Sequence, residues 1–335
     1  MDRDLSSLEA VEVEGSDERT QHVQEELMSS LPRAKGWITD HFYEYQDFWY
    51  DMHFLRGVIW AQQHFEARPS DILLATFPKT GLTWLKALTY SILNRERDGF
   101  EHAFAVKNPH ECVPYIEFHA YEKDPVSSLG SMPSPRLLST HLPYGSLPET
   151  VHRSGCKIVC IVRDPKDVFV SMMSFVGRLT LMNSPPVSWY EAFESFCEGV
   201  SLVGPFWDHI LGYWKASLEH PKNVLVVKYE DLKRDTSEQV RRLADFLGRP
   251  FSSEEIEKGI LCNIVYTCSI DNLKNMDANK CGVFHFGALS SASVEKSAYF
   301  RRGEVGDWKN HLSVEMAERL DEITKRKLDS HGLTF

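Results

Sequence analysis

Residues 71–93 constrain the fold most strongly, because two different periodicities meet there within a few residues. Ile72–Phe77 form a short, almost unbroken apolar run, which is typical of a strand covered on both faces of a parallel sheet. Trp84–Leu93 carry apolar side chains at helical spacing. Pro78 and Gly81 lie between the two and predict a tight turn. The segment therefore predicts a strand-turn-helix unit of an α/β fold.

The turn Pro78–Gly81 has two interpretations. A turn that opens a helix presents unpaired N–H groups and the positive end of the helix dipole, and Lys79 adds a full positive charge, so the turn suits an anionic ligand. It is equally consistent with an ordinary connection that carries a solvated lysine. It is not a Walker A loop, because Lys79 precedes the only glycine of the turn.

Short apolar runs alternate with helical patterns along the rest of the chain. Predicted strands lie at Asp71–Phe77, Arg136–Thr140, Lys157–Arg163 and Asn223–Lys228. Predicted helices lie at Trp37–Tyr50, Val58–Glu66, Pro165–Arg178, Ser188–Val200, Phe206–Ser217, Ser237–Leu247, Ser253–Lys258 and Val314–Leu328, with loops at Lys107–Pro114 and Pro125–Pro135. Strands that alternate with helices predict a single α/β domain over residues 31–335, with a central parallel sheet flanked by helices.

Composition narrows the class of protein. The formal net charge of −11 argues against nonspecific nucleic-acid binding. The longest apolar runs, such as Ile158–Val162, are too short to span a bilayer. Seven cysteines without a C-x-x-C pair favour reduced thiols in a cytoplasmic protein, and we find no ligand cluster for a metal. Residues 1–30 form an acidic segment that resembles neither a signal nor a transit peptide and is predicted to be a disordered tail.

Three further segments carry candidate site residues. Arg163 ends a predicted strand and precedes Asp164-Pro165, a strong helix start, so it lies at the sheet edge where α/β proteins bind ligands. Ser171 lies two turns into the helix that begins at Pro165. His141 also ends a strand and is a candidate general base. Arg301–Gly303 place two guanidinium groups beside a glycine, which suits a phosphate. Each of these residues is also consistent with an ordinary structural role, either on the solvated surface or in packing.

Together these segments resemble the plant branch of the cytosolic sulfotransferase family over about residues 40–330. PKTGLTW at 78–84 is similar to the family's 5′-phosphosulfate loop, and IVRDPKDVFVS at 161–171 is similar to its 3′-phosphate region. RRGEVGD at 301–307 matches the R-[KR]-G-x-x-G-D signature, and WKNH, which follows it, is typical of the family. THLPY at 140–144 and VVKYEDL at 226–232 add to the match. Three separated motifs in the correct order are highly specific.

The resemblance implies a single α/β domain that uses 3′-phosphoadenosine 5′-phosphosulfate (PAPS) as sulfonyl donor and needs no metal. It implies a His141 base, with Lys79 neutralising the leaving group and Ser171 restraining Lys79 until the acceptor arrives. The residues that it implies for donor binding are Lys79, Thr80, Gly81, Leu82, Thr83, Trp84, Arg163, Ser171, Tyr229, Cys268, Ser269, Ile270, Arg301, Arg302 and Gly303. Among these, Trp84 would stack on the adenine, with Tyr229 at its edge.

The chain departs from the family pattern at two donor positions. Leu82 replaces the usual threonine and removes a hydroxyl donor. Ile270 stands in the stretch that is normally T-S-F, where it cannot stack as an aromatic ring would. We therefore expect the affinity for the donor to be lower than is typical of the family.

The sequence does not identify the acceptor. The resemblance implies a small, largely apolar molecule with a hydroxyl group, a flavonoid or phenol first and a brassinosteroid or hydroxyjasmonate next. Trp37–Tyr50 and Cys112–Tyr121 would line its pocket, and the Ser- and Gly-rich loop Asn279–Ala298 would act as a lid. Lys309–Glu318 resembles the family's short dimerisation motif, which indicates a homodimer. A small-molecule P-loop kinase and a non-catalytic nucleotide-binding relative are the alternatives.

Overall fold

The computed structural model describes residues 27–97, 99, 102–180, 187–287 and 292–335. Its strands are β1 (Arg33–Lys35), β2 (His41–Tyr45), β3 (Phe48–Tyr50), β4 (Ile72–Thr76), β5 (Leu137–Thr140), β6 (Lys157–Val162), β7 (Leu179–Thr180), β8 (Val224–Lys228), β9 (Val283–His285) and β10 (Ser293–Glu295). Its helices are α1 (Met52–His64), α2 (Leu82–Asn94), α3 (Ala103–Val106), α4 (Pro109–Cys112), α5 (Pro125–Ser131), α6 (Glu149–Ser154), α7 (Pro165–Val176), α8 (Trp189–Cys197), α9 (Phe206–Glu219), α10 (Tyr229–Arg234), α11 (Thr236–Phe246), α12 (Ser253–Glu257), α13 (Ile260–Thr267), α14 (Ile270–Asn275), α15 (Asp277–Lys280) and α16 (Val314–Leu328). Short 3₁₀ helices include Glu117–Tyr121, Lys296–Tyr299 and Asp307–Asn310.

A four-stranded parallel sheet in the order β5-β4-β6-β8 forms the centre of the fold. All five residues of β4 are buried, and successive side chains pack on opposite faces. Leu73 and Ala75 join the core on one face, and Ile72 and Leu74 join the core on the other. This arrangement explains the unbroken apolar run, since both faces of the strand are covered by helices. The predicted α/β fold with a central parallel sheet is confirmed.

The parallel strands all end at the same edge of this sheet. His141 directly follows β5, Arg163 directly follows β6 and Tyr229 directly follows β8. Lys79 follows β4 after two intervening residues. Ligands of open α/β sheets bind outside this edge, so the topology brings residues from four distant parts of the sequence to one place.

The predicted helix at Trp37–Tyr50 is wrong, because this segment forms the antiparallel hairpin of β2 and β3. Gln46 and Asp47 link the strands, with φ values of 53° and 66°. Two left-handed residues form the two-residue turn that suits the twist of a hairpin. Closely spaced aromatic residues fit a pleated, half-buried surface as well as a helix, and the hairpin packs them over the core around Phe42.

The other differences from the sequence prediction concern short elements. The two predicted loops contain α4 and α5, which begin at proline after the N-caps Asn108 and Asp124. Of the predicted tail, residues 1–26 lie outside the described residues, but residues 27–30 are helical and Met28 is buried in the core. Residues 27–30 thus pack with the folded part of the chain, and the boundary of the tail stays a prediction. In the described part of the chain, no helix is long and apolar enough to cross a membrane.

Candidate active site

One cavity opens at the carboxyl edge of the sheet and holds about 1720 Å³ of space, its solvent-open mouth included. Side chains from most of the elements around this edge reach it. The sequence-predicted site residues that line it are Lys79, Gly81, Leu82, Thr83, Trp84, His141, Arg163, Ser171, Tyr229, Ile270, Arg301 and Gly303. Residues more than 200 positions apart in the sequence thus line the same cavity.

Four of the predicted site residues lie elsewhere. Thr80 is fully buried and its hydroxyl donates to the Phe77 carbonyl at 2.9 Å, so it shapes the turn from behind. Cys268 is also fully buried, away from the cavity lining. Ser269 and Arg302 line a smaller neighbouring cavity, which shares Trp84 and Ile270 with the main one.

The turn between β4 and α2 has an unusual backbone that explains its glycine. Lys79 has a left-handed φ of 71°, and Gly81 has a φ of 121°. A Cβ atom on Gly81 would stand 2.8 Å from Cδ2 of Tyr229. Only glycine fits both the backbone angle and the close approach of the tyrosine ring. Gly81 is also the N-cap of α2 and supplies no side-chain capping bond, so the first N–H groups of the helix are left for a ligand.

The ammonium group of Lys79 lies among aromatic rings and other cations. Its Nζ is 3.8 Å from the ring centroid of Phe175 and 5.6 Å from that of Tyr299. Burial, together with the nearby positive charges of Arg301 and Arg163, lowers the pKa of Lys79 to about 7. Cations gathered at this density repel one another, so the site is suited to a ligand with more than one negative charge.

Arg301 and Arg302 are held by a buried aspartate. Asp307 is only 2% exposed and pairs with both guanidinium groups, at 2.7 Å for Arg302. Burial alone would raise the pKa of Asp307, but hydrogen bonds from Asn310 and Arg301 outweigh it and hold this pKa at about 2. The carboxylate therefore stays charged and fixes both arginines.

A second buried aspartate ties this loop to α7. Asp167 accepts hydrogen bonds from the backbone N–H groups of Gly306 at 2.8 Å and Trp308 at 3.0 Å. Asp167 also lies 3.4 Å from Arg163, whose Nη2 donates to the Glu304 carbonyl at 2.6 Å. The fixed loop explains how a motif near the C-terminal end reaches the sheet edge formed by β6.

Several buried donors at this end of the cavity have no hydrogen-bond partner among the described residues. They are Nε of Arg163, Nε of Arg301 and Nε1 of Trp84. Buried donors without partners are costly, and an anionic, hydrogen-bonding ligand would satisfy them. The residues present therefore fit a phosphorylated ligand.

Trp84 and Ile270 line both cavities, and together with Tyr229 they form a corner where the two cavities meet. The rings of Trp84 and Tyr229 meet edge to face at 5.7 Å. Ile270 packs on Gly303 so closely that a Cβ atom on Gly303 would clash with Cδ1 of Ile270. Gly303 also has a left-handed φ of 66°. Ile270 thus provides an aliphatic side chain in place of an aromatic ring, and this side chain packs against the loop Arg301–Gly303.

His141 lies at the other side of the turn from the arginines. Its Nδ1 is 2.8 Å from the Thr76 carbonyl oxygen, so this nitrogen carries the proton and Nε2 is left as the acceptor. Burial lowers the pKa of His141 to about 3, and the nearby positive charge of Lys86 adds to the shift. The imidazole is therefore neutral, with the lone pair of Nε2 unprotonated.

Glu117 supports His141 from behind the sheet edge. Its Oε1 accepts the backbone N–H of His141 at 2.8 Å, and its side chain is fully buried. Burial raises the pKa of Glu117 to about 7. Nε2 of His209 donates to the carbonyl of His141 at 3.0 Å, so both backbone groups of His141 are held by side chains.

The half of the cavity beyond His141 is lined by aromatic side chains. Trp37 and Phe42 come from one of the two segments that the sequence predicted for an acceptor, and Tyr115, Phe118 and Tyr121 come from the other. The proposed lid contributes Phe286, Ala292 and Ala298, while residues 288–291 lie outside the described residues.

Sequence reasoning missed the supporting residues of the site. They are Lys86, His110, Glu117, Asp167, Phe175, Tyr299 and Asp307. Lys86 could have been found, because it falls on the buried stripe of α2 together with Leu82, Leu85 and Thr89. The described part of the chain contains no group of three or more histidine, cysteine, aspartate or glutamate side chains arranged to hold a metal ion.

Comparisons with known proteins identify the family and related structures. The sulfotransferase domain family matches residues 69–332. Cytosolic sulfotransferase 13 of Arabidopsis thaliana is 43% identical over 315 residues and covers 93% of each chain. Flavonol 4′-sulfotransferase of Flaveria chlorifolia is 42% identical and covers 92% of this chain and 96% of its own. The crystal structure of mouse sulfotransferase SULT7A1 complexed with PAP is 28% identical, with a TM-score of 0.65 over 86% of this chain and 95% of that one.

Proposed function

Because the chain belongs to the plant cytosolic sulfotransferase family, we propose that its cavity binds PAPS and the hydroxyl of a small, largely apolar acceptor. The enzyme is a sulfotransferase, so transfer of a sulfonyl group is its activity. The observation that carries the finer proposal is a single cavity that joins Lys79, Arg301 and His141. A kinase would transfer a phosphoryl group, whereas members of this family transfer a sulfonyl group, so the kinase alternative does not fit.

The cationic end of the cavity would hold the donor. Lys79 and the N–H groups that open α2 would bind the 5′-phosphosulfate, and Arg163, Ser171, Arg301 and Gly303 would bind the 3′-phosphate. The mouse relative was crystallised with PAP, the desulfonated form of this donor, which supports the assignment. The buried donors without partners at this end provide further support.

The corner formed by Trp84, Tyr229 and Ile270 would hold the adenine. Trp84 would stack on the base, with Tyr229 at its edge. The smaller cavity continues from this corner and brings in Ser269 and Arg302, so those two residues would act at the periphery of the nucleotide. Thr80 and Cys268 would support the site without contact with it.

Positioning and charge stabilisation would drive the reaction, as they do in phosphoryl transfer. The acceptor oxygen would form a bond to sulfur as the bond from sulfur to the bridging oxygen of the donor breaks. Nε2 of His141 would take the proton of the acceptor hydroxyl. Lys79 would neutralise the charge that develops on the departing bisphosphate oxygen. Its ammonium lies over Phe175, one helical turn from Ser171, so a Ser171 contact with Lys79 stays a proposal.

The aromatic half of the cavity would hold the acceptor. Rings from Trp37, Phe42, Tyr115 and Phe118 provide flat apolar walls that suit a planar aromatic molecule. A flavonol sulfotransferase is among the relatives, at 42% identity. A flavonoid or phenol is therefore the first candidate, and a brassinosteroid or hydroxyjasmonate is the next. A homodimer through Lys309–Glu318 also stays a proposal; Val314 in this segment is 68% exposed.

An acceptor screen with isotopically labelled PAPS tests the proposal. Purified protein would be incubated with flavonols, simple phenols, brassinosteroids and hydroxyjasmonates, and labelled products would be separated and identified by mass spectrometry. We expect label in a flavonoid or phenol, dependent on protein and lost in His141→Ala. Binding of PAP without transfer to any acceptor class would instead favour the non-catalytic alternative.

A further inference from the structure

We propose that His110 is a positioning residue that sets the hydroxyl of Thr83 as a hydrogen-bond donor to the 5′ anionic end of the donor substrate. The inference rests on the proposed binding of PAPS. Thr83 lies in the first turn of α2 and lines the cavity, and His110 lies in α4 and also lines it. The chain of contacts continues behind them to Lys86, which is fully buried.

The two nitrogens of His110 face different kinds of partner. Nδ1 lies 3.1 Å from Nζ of Lys86 and 3.0 Å from the hydroxyl of Tyr115. Nε2 lies 2.9 Å from Oγ1 of Thr83. A lysine ammonium only donates, so Nδ1 accepts and the imidazole proton sits on Nε2.

The same tautomer holds if Lys86 loses its charge. Burial lowers the pKa of Lys86 well below its usual value. A neutral amine still has two N–H groups, one for the carbonyl of Val113 at 2.7 Å and one for Nδ1 of His110. The hydroxyl of Tyr115 is a second donor to Nδ1. Donation from either group to Nδ1 keeps the imidazole proton on Nε2.

This tautomer fixes the direction of the next hydrogen bond. Nε2–H of His110 donates to Oγ1 of Thr83, and the hydroxyl oxygen is then occupied as an acceptor. The hydroxyl proton of Thr83 is thereby directed away from His110. Because Thr83 lines the cavity, that proton is available to an anionic oxygen of the ligand. With the opposite tautomer, Thr83 would donate to His110 and present only lone pairs to the anion.

The partners of His110 are held rigidly. Nζ of Lys86 lies 3.6 Å from the ring centroid of Tyr115. The ring of His110 stacks on Tyr115 with an interplanar angle of 6° and lies 4.0 Å from the ring of Tyr299. Enclosure of this kind limits rearrangement of the donors and acceptors, which favours one fixed direction for the hydroxyl proton of Thr83.

His110 also keeps its neutral Nε2–H tautomer at the pH of an assay. Burial lowers the pKa of His110 well below its usual value, and the nearby lysines Lys86 and Lys79 act in the same direction. His110 therefore remains neutral, so the tautomer is decided by Lys86 and Tyr115 rather than by pH.

A double-mutant cycle on the binding of 3′-phosphoadenosine 5′-phosphate tests the inference. The dissociation constant would be measured by calorimetry for wild type, His110→Asn, Thr83→Val and the double variant. Asparagine keeps an acceptor for Lys86 but has no donor at the Nε2 position. We expect His110→Asn to weaken binding about tenfold, as befits a hydrogen bond to a charged group. In the Thr83→Val background, the same change should have no further effect.

A longer amide and a distant histidine complete the experiment. His110→Gln can place an amide N–H near the position of Nε2, so it should bind the bisphosphate within about twofold of wild type. His152 is exposed, its ring contacts Tyr144 and it does not line the cavity, so His152→Asn should leave the dissociation constant unchanged and serve as the matched control. Equal losses in His110→Asn and His110→Gln would indicate a packing role and overturn the inference.

The outcomes separate the inference from the proposed function. If wild type does not bind the bisphosphate, the proposed function fails. If wild type binds it and the effects of His110→Asn and Thr83→Val simply add, the proposed function stands and the positioning role of His110 is wrong.

A spectroscopic measurement on the wild type keeps the inference testable if His110→Asn does not fold. Nitrogen NMR of histidine-labelled protein distinguishes the two neutral tautomers, and the spectrum of His110→Gln identifies the His110 signals by their loss. We expect the Nε2–H tautomer both with and without the bisphosphate. The Nδ1–H tautomer in the bound protein would overturn the inference, because Thr83 would then donate to His110.

Discussion

Nδ1 of His141 lies 2.8 Å from the carbonyl oxygen of Thr76, the last residue of the neighbouring strand. The contact links the ends of β5 and β4, which the sheet places side by side. It commits the Nδ1 proton to the backbone and turns Nε2 into the acceptor. A histidine at a strand end is thus left with one defined hydrogen-bond-accepting atom, which is the atom that the proposed base would use.

Removal of this imidazole should separate catalysis from binding. In His141→Ala we expect turnover to fall by roughly 10²- to 10⁴-fold, the usual contribution of a positioned general base. The dissociation constant of the bisphosphate should stay within about twofold of wild type, because the cationic end is intact. Steady-state kinetics and calorimetry measure the two quantities. Turnover equal to that of wild type would overturn the assignment of the base.

Lys79 should make binding of the bisphosphate depend on pH. Its pKa in the free protein is lowered to about 7 by burial and by Arg301, and an anion bound beside it would raise this pKa. Affinity should therefore fall by about tenfold per pH unit above pH 7, since one proton is taken up on binding. Calorimetry between about pH 7 and 9 measures this slope. In Lys79→Met the affinity should be lower and the slope should vanish; an unchanged slope would place the titrating group elsewhere.

Substitutions of Gly303 and Ile270 should have coupled effects on the free energy of unfolding and on binding of the bisphosphate. In Gly303→Ala the new Cβ would clash with Cδ1 of Ile270, and the φ of 66° would add backbone strain of roughly 1–2 kcal/mol. We expect a lower free energy of unfolding and weaker binding of the bisphosphate. Adding Ile270→Val removes the Cδ1 atom, so the double variant should recover part of both losses. Chemical denaturation and calorimetry measure them, and purely additive effects would contradict the contact.

Leu82 should limit the affinity for the donor. It is the first residue of α2, and its side chain lines the cavity without a hydrogen-bonding group. Leu82→Thr should tighten binding of the bisphosphate by a net hydrogen bond, about 0.5–1.5 kcal/mol. Leu82→Val matches the shape of that threonine without the hydroxyl and is the matched control. Equal affinities in the two variants would refute the expectation that this departure from the family pattern weakens donor binding.

The parts of the fold that could be predicted are those where one pattern has one structural solution. The ends of β4, β5, β6 and β8 agree with the sequence prediction within one residue, because apolar runs bounded by polar residues and turns leave little choice. α7 was predicted from Asp164 and Pro165, whose capping chemistry fixes its first residue. The order of these elements then placed Lys79, Arg163 and His141 at one edge of the sheet.

The hairpin and the supporting residues could not be predicted in the same way. The segment around Phe42 and Tyr45 is rich in aromatic residues and compatible with either periodicity, and its turn residues Gln46 and Asp47 are a weak hairpin signal. Carboxylates such as Glu117 look like ordinary surface residues in the sequence. Their roles depend on which backbone groups the folded chain leaves without a partner, and those groups are known only once the strands and loops have been assembled.

Lys79 and Arg301 are proposed to bind opposite ends of one bisphosphorylated adenosine. Arg301 lines the cavity with a side chain that is 20% exposed, so loss of its charge should be felt strongly. The decisive measurement is the affinity of wild type, Arg301→Gln and Lys79→Met for two ligands, 3′-phosphoadenosine 5′-phosphate and adenosine 5′-phosphate. We expect Arg301→Gln to weaken only the bisphosphate, by roughly 10- to 100-fold, whereas Lys79→Met should weaken both ligands. If Arg301→Gln leaves the affinity for the bisphosphate unchanged, or weakens both ligands equally, the two residues do not share the ligand as proposed.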